Sequence, residues 1–346
     1  MISEDLRPAA EALLAEVGFP PSPRFQRIDG GGNNQVFLAE SGGRKAALKA
    51  YFHHPQDQRD RLNAEYAFST LLWNHGIESL PRPLAVNRQA RLGLYEFVEG
   101  QKLAPAQMTQ SSVEAALNFF LAANTPALHA DGHGLPVASE ACFSIAAHLA
   151  TVSRRLARLE ELKDTTPVDR EAAIFLRESV QTFWRGLEDR VMTLTHKLGL
   201  SHEADIAPQM RCISPSDFGF HNALRESSGT LRFVDFEYAG WDDPAKLVGD
   251  FFNQVQVPVP ASLFEYFARR VAEHFPDPRR NYARFEMLLP VYSVKWIAIM
   301  LNDFLPVGGM RRSFAGDVSQ AMARKQNQLA KAQVAFARLN APGPAH

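Results

Sequence analysis

Ser214-Pro-Ser-Asp217-Phe-Gly-Phe-His-Asn222-Ala-Leu-Arg-Glu-Ser-Ser-Gly-Thr-Leu-Arg-Phe-Val-Asp235-Phe-Glu-Tyr-Ala-Gly-Trp241 gathers two aspartates and an asparagine around one tight turn. Asp217 and Asn222 stand in a polar, Gly-bearing segment that reads as a loop. An apolar pair, a Ser-Ser-Gly turn and a Leu-Arg-Phe-Val strand then lead to Asp235. The order is carboxylate, carboxamide, hairpin, second carboxylate. Mg-dependent phosphoryl transfer needs that order, with an acid beside the attacking hydroxyl and an oxygen pair for the metal on the nucleotide phosphates. The hairpin lets Asn222 and Asp235 face one ion, because the chain doubles back between them. The plain alternative is a hairpin whose Asp and Asn residues only make turns.

Nearer the N-terminus, residues 3–17 alternate charge with Leu6, Ala10, Leu13, Leu14 and Val17, which predicts a short amphipathic helix capped near Ser3. Pro20, Pro21 and Pro23 end it. Phe25 to Ile28, Gln35 to Glu40 and Ala46 to Tyr51 then read as three strands of an antiparallel meander. The first turn, Asp29-Gly30-Gly31-Gly32-Asn33-Asn34, is explained equally by hairpin geometry and by backbone N–H groups approaching nucleotide phosphates. It does not match the spaced glycines of a dinucleotide-binding fold, and no helix follows it. Lys49, one strand further on among small and apolar neighbours, is expected to be half buried and so to need a partner. A helix over about 57–75, with Leu62, Tyr66, Ser69 and Leu72 in register, offers Glu65. A Lys–Glu pair set against α- and β-phosphates is the kinase arrangement; the alternative makes Glu65 one more solvated helical acid.

Leu84 to Val86 and Leu92 to Phe97 read as two further strands. Glu96-Phe97-Val98-Glu99-Gly100 then forms a hinge whose backbone suits an adenine edge. Beyond about residue 105 the pattern becomes helical, over 112–128, 140–162, 168–198, 262–274, 284–303 and 315–339, with Pro105, Pro126, Pro136 and Pro167 at junctions. His129, closing one helix, reads as a packed or capping residue. Asp242 or Asp243 is expected to cap the helix that follows Pro244.

Composition narrows the function class. Apolar residues at 46% and charged residues at 22% describe a globular chain, and 346 residues fit two lobes. With 37 basic against 38 acidic side chains, no global field favours nucleic acid or an anionic membrane surface. Cys142 and Cys212, far apart, make neither a disulfide framework nor a Cys-rich metal site. The charged N-terminal residues lack a signal peptide's apolar core, and no run approaches the ~20 apolar residues of a membrane span. A cytoplasmic location with no nucleic-acid or membrane partner is the expectation; oligomeric state is left open.

Taken together, the chain resembles the aminoglycoside phosphotransferase and choline kinase group, the small-molecule branch of the protein-kinase-like fold. The likeness runs through residues 25–255 in order. Its strongest part is Asp217-Phe-Gly-Phe-His-Asn222 with Val234-Asp-Phe-Glu-Tyr-Ala-Gly-Trp241, which is similar to the Ile-Asp-Phe-Glu-Tyr-Ala wording of choline and ethanolamine kinases. The resemblance implies an α+β fold of two lobes. Residues 1–99 would be a small antiparallel β-sheet lobe with one helix that binds nucleotide, and residues 100–346 a larger, mainly α-helical lobe for catalysis and substrate. It implies Asp217 as catalytic base, Asn222 and Asp235 as Mg²⁺ ligands, and Lys49 as phosphate clamp with Glu65 as its partner. Gly30, Gly31, Gly32, Asn33 and Asn34 would cover the nucleotide, and Phe97 and Val98 would contact adenine.

The implied reaction moves the γ-phosphoryl of ATP (or GTP) to a hydroxyl of an amino alcohol, aminoglycoside or sugar. Glu237, Trp241, Asp242, Trp296 and Asp303 are candidates for the acceptor side, an acidic and aromatic set that suits a cationic amine or a sugar. Core packing explains the tryptophans at least equally well. Glu237 is also a candidate for a second metal. Two positions depart from the group. Pro215-Ser216 replaces the usual His-Gly or His-Asn before the loop Asp, and Leu247 stands where a further Asp is usual, with Asp250 one helical turn on to take over its backbone-anchoring role. The first departure supports an alternative reading as a nucleotide-binding pseudokinase without phosphotransfer, against which Lys49, Asp217, Asn222 and Asp235 all stand.

Overall fold

The computed structural model describes residues 2–28, 34–53, 57, 59–163, 165–305 and 318–340. The glycine turn Gly30, Gly31, Gly32 and Asn33 lies outside the described residues; Asn34 lies within them. The fold is α+β and two-lobed, with a small antiparallel sheet and its helix followed by a larger helical part. By compactness the chain divides into residues 1–141 with 212–242, and residues 142–211 with 243–346.

The first unit opens with α1 (Arg7–Glu16). Its N-cap is Leu6 with no side-chain cap, so the expected cap at Ser3 is corrected: Ser3 supplies only its carbonyl, to the amides of Leu6 and Arg7. Pro8 explains the later start, because its fixed φ suits the first turn and its missing N–H is one that needs no partner there. The strands β1 (Arg24–Ile28), β2 (Gln35–Ser41), β3 (Arg44–Ala50), β4 (Pro83–Asn87) and β5 (Leu92–Glu96) form one sheet in the order β1-β2-β3-β5-β4, every pairing antiparallel. Period two sends Phe37, Ala39, Ala46 and Leu48 to one face, where they bury with Leu13, Leu14 and Phe19. Lys49, next to Leu48, therefore turns to the opposite face, and α2 (Arg61–Asn74) brings Glu65 to it. Asp60 starts α2 by accepting from the Asn63 amide at 3.0 Å.

The same unit holds β6 (Gly100–Lys102), α3 (Gln110–Ala122), α4 (Pro126–Asp131), β7 (Cys212–Ser214), β8 (Ala223–Glu226), β9 (Leu231–Phe233) and β10 (Gly240–Asp242). They make a three-stranded sheet, β6-β8-β9, and a β7–β10 pair. Gly240 is needed for close approach. A Cβ there would stand 2.2 Å from the Pro136 carbonyl oxygen and 2.7 Å from the Ala138 nitrogen. Those same groups bond Trp241, the Pro136 oxygen accepting from its amide at 2.9 Å and the Ala138 amide donating to its carbonyl at 3.0 Å. Gly240→Ala is expected to destabilise the protein by about 1–3 kcal/mol, read as a lower urea midpoint; an unchanged midpoint would mean that the 136–138 backbone yields freely.

The second unit is helical: α5 (Ile145–Leu159), α6 (Pro167–Ile174), α7 (Gln181–Lys197), α8 (Pro244–Asn253), α9 (Phe264–Glu273), α10 (Pro278–Leu301) and α11 (Val318–Asn340). A π-helical segment, Phe175–Val180, joins α6 to α7. α10 is the hub and packs against α5, α8, α9 and α11. Gly249 lets α8 approach it, since a Cβ would meet the Tyr292 ring at 2.3 Å. Contrary to the expectation from sequence, the helical run Pro278–Phe304 is by length and composition apolar enough to cross a membrane, with a mean hydropathy of 1.2 over its best window. Of that window 61% is buried within the protein, and its role as hub accounts for its apolar character.

Candidate active site

Strand β3 and helix α2 bring Lys49 Nζ to 2.6 Å from Glu65 Oε2, a pair only 7–9% exposed. The same ammonium bonds Asp235 Oδ1. Burial alone would lower the Lys49 pKa, but the charges of Asp235, Glu65 and Glu237 outweigh it and the ammonium is held well above its ordinary value. Glu65 is pushed upward by its own burial, and Lys49 opposes that shift. Its Oε2 also accepts from the Tyr51 hydroxyl at 2.8 Å.

The loop after β7 carries Asp217, whose side chain is 40% exposed and lies 3.2 Å from His221 Nε2. Asn222 closes a single 3₁₀ turn, Phe220–Asn222. Its Nδ2 donates to the Asp217 carbonyl oxygen at 3.0 Å, and its own carbonyl accepts from the Val234 amide at 2.9 Å. The β8–β9 hairpin thus brings Asn222 beside Asp235, as its spacing predicts. Oδ1 of Asn222 and Oδ2 of Asp235 have no hydrogen-bond partner among the described residues. Two oxygen donors of this kind, one neutral and one anionic, fit a hard divalent cation such as Mg²⁺.

Each acid is mounted on the phenylalanine that follows it. Phe218 and Phe236 both stack on Phe119 of α3, with ring centroids 5.6 and 6.0 Å apart, and Phe233 packs on Phe119 at 4.9 Å. Phe236 also meets Phe68 of α2 at 4.8 Å, one turn beyond Glu65. The three acids Glu65, Asp217 and Asp235 are therefore held on one aromatic core, and Lys49 joins them through its ion pairs. Two backbones beside it are left-handed without being glycine, Ser216 at φ 66° and Asp235 at φ 70°. Such conformations cost on the order of 1–3 kcal/mol and need neighbours to hold them. The Ser216 amide is held by Ser214 Oγ at 3.0 Å. A left-handed position suits the Gly or Asn usual in the resembling group, and Ser216 adopts it nonetheless.

Several positioning residues carried no signal that sequence reasoning used. Asn124, just past α3, accepts from the Ile213 amide at 2.8 Å and donates to the Ile213 carbonyl at 3.0 Å, gripping the strand that enters the loop. His129 Nε2 meets Asn124 Oδ1 at 3.0 Å, which fits a packing role. Arg61 is buried, pairs with Asp57 at 2.6 Å and faces Glu237 at 3.5 Å. Glu237, 4% exposed, also accepts from Asn34 Nδ2, while Asn34 Oδ1 accepts from the Phe52 amide at 3.1 Å. The exit of the glycine turn is thus tied to the residues that follow Asp235.

Phe97 and Val98 lie between β5 and β6; Val98 is buried and Phe97 lies under the Lys45 ammonium at 5.9 Å. The remaining acceptor candidates are engaged in internal contacts. Trp241 Nε1 donates to the Gly132 carbonyl at 3.0 Å, and Asp242 is fully buried in β10. In the second unit Trp296 Nε1 donates to Asp250 Oδ1 at 2.9 Å, and Asp303 faces Arg324 at 3.4 Å. Asp250 bonds Lys295 through both oxygens at 2.8 Å. It therefore ties α8 to side chains of α10, not to backbone as expected. Asp243 caps α8, accepting from the Ala245 amide at 2.8 Å.

Among curated proteins none matches the chain. Solved structures match over nearly its whole length. A choline kinase from Cryptosporidium parvum Iowa II is 12% identical with a TM-score of 0.56, covering 95% of this chain and 97% of its own. A macrolide 2'-phosphotransferase from Brachybacterium faecium is 17% identical with a TM-score of 0.51, covering 99% and 100%. A spectinomycin phosphotransferase solved with ADP and spectinomycin is 15% identical with a TM-score of 0.54, covering 95% and 97%. They share the protein-kinase-like fold with this chain. The sequence profile of the phosphotransferase enzyme family matches residues 24–285, which span the sheet, both acid-bearing loops and most of the helical unit, and the chain belongs to that family.

Proposed function

We propose that this protein is a Mg-dependent small-molecule kinase that transfers the γ-phosphoryl of ATP (or GTP) to a hydroxyl of an amino alcohol, aminoglycoside or sugar. The observation that carries the reading is the set Lys49, Glu65, Asp217, Asn222 and Asp235: the three acids stand on one aromatic core, Lys49 bonds Glu65 and Asp235, Asn222 bonds the Asp217 carbonyl, and oxygen donors are left over. Lys49 binds the nucleotide phosphates and neutralises charge that builds up as the phosphoryl group moves. Asp217, exposed beside His221, orients the acceptor hydroxyl and takes its proton. Asn222 and Asp235 would hold Mg²⁺, which supplies charge neutralisation on the transferring phosphate. Phe97 and Val98 contact adenine, residues 1–99 form the nucleotide-binding lobe, and residues 100–346 form the catalytic and substrate-binding lobe. Glu237, held by Arg61 and Asn34, fixes Asn34 beside the strand end that carries Asp235.

ADP and GDP release with Mg²⁺ across choline, ethanolamine, aminoglycosides, macrolides, neutral sugars and nucleosides tests this reading. Release that depends on one acceptor class and stops on chelation of the metal is expected. Nucleotide-induced thermal stabilisation with no turnover on any acceptor would favour the pseudokinase, and release unaffected by chelation would overturn the metal assignment.

A further inference from the structure

Behind the Lys49–Glu65 pair lies a second layer of buried polar groups. Tyr51, two residues after Lys49, and Tyr95 on β5 are 7% and 5% exposed. The Tyr51 hydroxyl oxygen lies 2.8 Å from Glu65 Oε2 and 2.8 Å from the Tyr95 hydroxyl oxygen. Counting protons fixes the direction of the chain. An ionised Glu65 only accepts, so the one hydroxyl proton of Tyr51 goes to it, and the Tyr51 oxygen must accept from Tyr95. Glu65 Oε2 therefore receives two donors, the Lys49 ammonium and the Tyr51 hydroxyl.

A separate feature keeps this arrangement open. Gly93 lies opposite Lys49 in the β3–β5 register. A Cβ at Gly93 would stand 2.8 Å from the Tyr95 ring and 3.0 Å from its hydroxyl oxygen. The missing side chain gives the Tyr95 ring the space from which it reaches Tyr51. Tyr66 of α2 closes the outer side, edge-on to Tyr95 at 6.2 Å. Phenylalanine would fill the same volume at both positions without burying hydroxyls, which costs free energy unless they are bonded. The hydroxyls are explained by the carboxylate at the end of the chain.

We propose that Tyr51, braced by Tyr95, is a positioning residue for Lys49: its hydroxyl fixes the Glu65 carboxylate that aims the ammonium. Without it, Glu65 is free to turn and Lys49 is left to Asp235 alone. That Lys49 serves nucleotide binding rests on the kinase reading above; that Tyr51 sets its position does not.

Two readouts separate the two claims. The first is exchange of the Lys49 ammonium protons with water, followed by NMR in the nucleotide-free protein and assigned by their loss in Lys49→Arg. The second is the KM for MgATP set against kcat. Tyr51→Phe is expected to speed the exchange and raise the nucleotide KM by about tenfold each, the scale of one hydrogen bond to a charged group, with kcat less affected. Tyr95→Phe should move both in the same direction by less. In a Glu65→Ala background, which removes the accepting oxygen, Tyr51→Phe should add nothing, because the two residues act through one contact. Full additivity with Glu65→Ala, or a lower melting temperature with unchanged exchange, would reduce the tyrosines to packing and overturn the proposal. Faster exchange in Tyr51→Phe, in a protein that binds no nucleotide, would uphold the positioning role and defeat the kinase reading.

Discussion

Asp217→Asn is expected to lower acceptor-dependent phosphoryl transfer by about 10²–10⁴-fold, the usual contribution of a positioned general base, with no change in the unfolding midpoint. The two halves of this expectation come from different atoms of one residue. The Asp217 carboxylate is 40% exposed and has His221 as its hydrogen-bond partner. The contact that shapes the loop, to Asn222 Nδ2, is made by the Asp217 backbone carbonyl and survives substitution. Asn keeps an oxygen for His221 but cannot take a proton at pH 7. ADP release by the variant is the measurement, with a urea titration beside it. Transfer retained at the wild-type rate would place the base elsewhere, and transfer lost together with stability would make Asp217 a structural residue.

The second large effect is expected on stability, from the second unit. Asp243 is fully buried and bonds three ways: to the Ala245 amide, to Arg284, and to His148 Nε2 at 3.2 Å. His148 Nδ1 faces the Tyr292 hydroxyl at 2.5 Å. Asp243→Asn would leave a buried guanidinium and a buried imidazolium without their anion, and breaking a buried pair from one side costs about 3–5 kcal/mol. A pH signature accompanies it. Burial opposes the charged imidazole, but Cys142 and Asp243 outweigh it and raise the His148 pKa to about 9. Its contribution to stability is therefore fully present below the ordinary value of 6.5 and is lost as pH rises through about 9. Burial would raise Asp243, yet Arg284 and His148 lower its pKa to about 2, so its contribution is present above 3.8 and lost as pH falls through about 2. Urea midpoints from pH 6 to pH 10 should fall for the wild type and be flatter for the variant. Equal slopes would show that the alkaline loss belongs to another group.

Short-range patterns were the legible part of this protein. Period two in β3 told which face Lys49 takes, helical spacing placed Glu65, and a turn of Ser-Ser-Gly between two apolar runs brought Asn222 to the neighbourhood of Asp235. What failed to show was contact between distant residues. Asp250 reads locally as a residue near its own backbone, but its partner Lys295 lies 45 residues on. Trp241 and Trp296 read equally as pocket aromatics and as core packing, and their indole nitrogens bond Gly132 and Asp250, partners that local pattern could not name. Tyr95 gave no polar signal because its partner, Tyr51, lies 44 residues away, just past the end of β3. The cap expected at Ser3 failed for a local reason, the competing preference of Pro8 for the first turn.

The grip of Asn124 on Ile213 has a consequence for how the protein acquires its site. The two residues are 89 apart, and β10 meets the 136–138 segment across a similar span. Between them the chain leaves to build residues 142–211 of the other unit before it returns at Cys212. Contacts of such separation carry a loop-closure cost that is repaid only when both ends are in place, and they slow folding. The loop that holds Asp217 should consequently be among the last parts to order. A refolding chain would show protected amides in β2 and β3 before it protects Ile213, and any catalytic competence would trail the recovery of secondary structure.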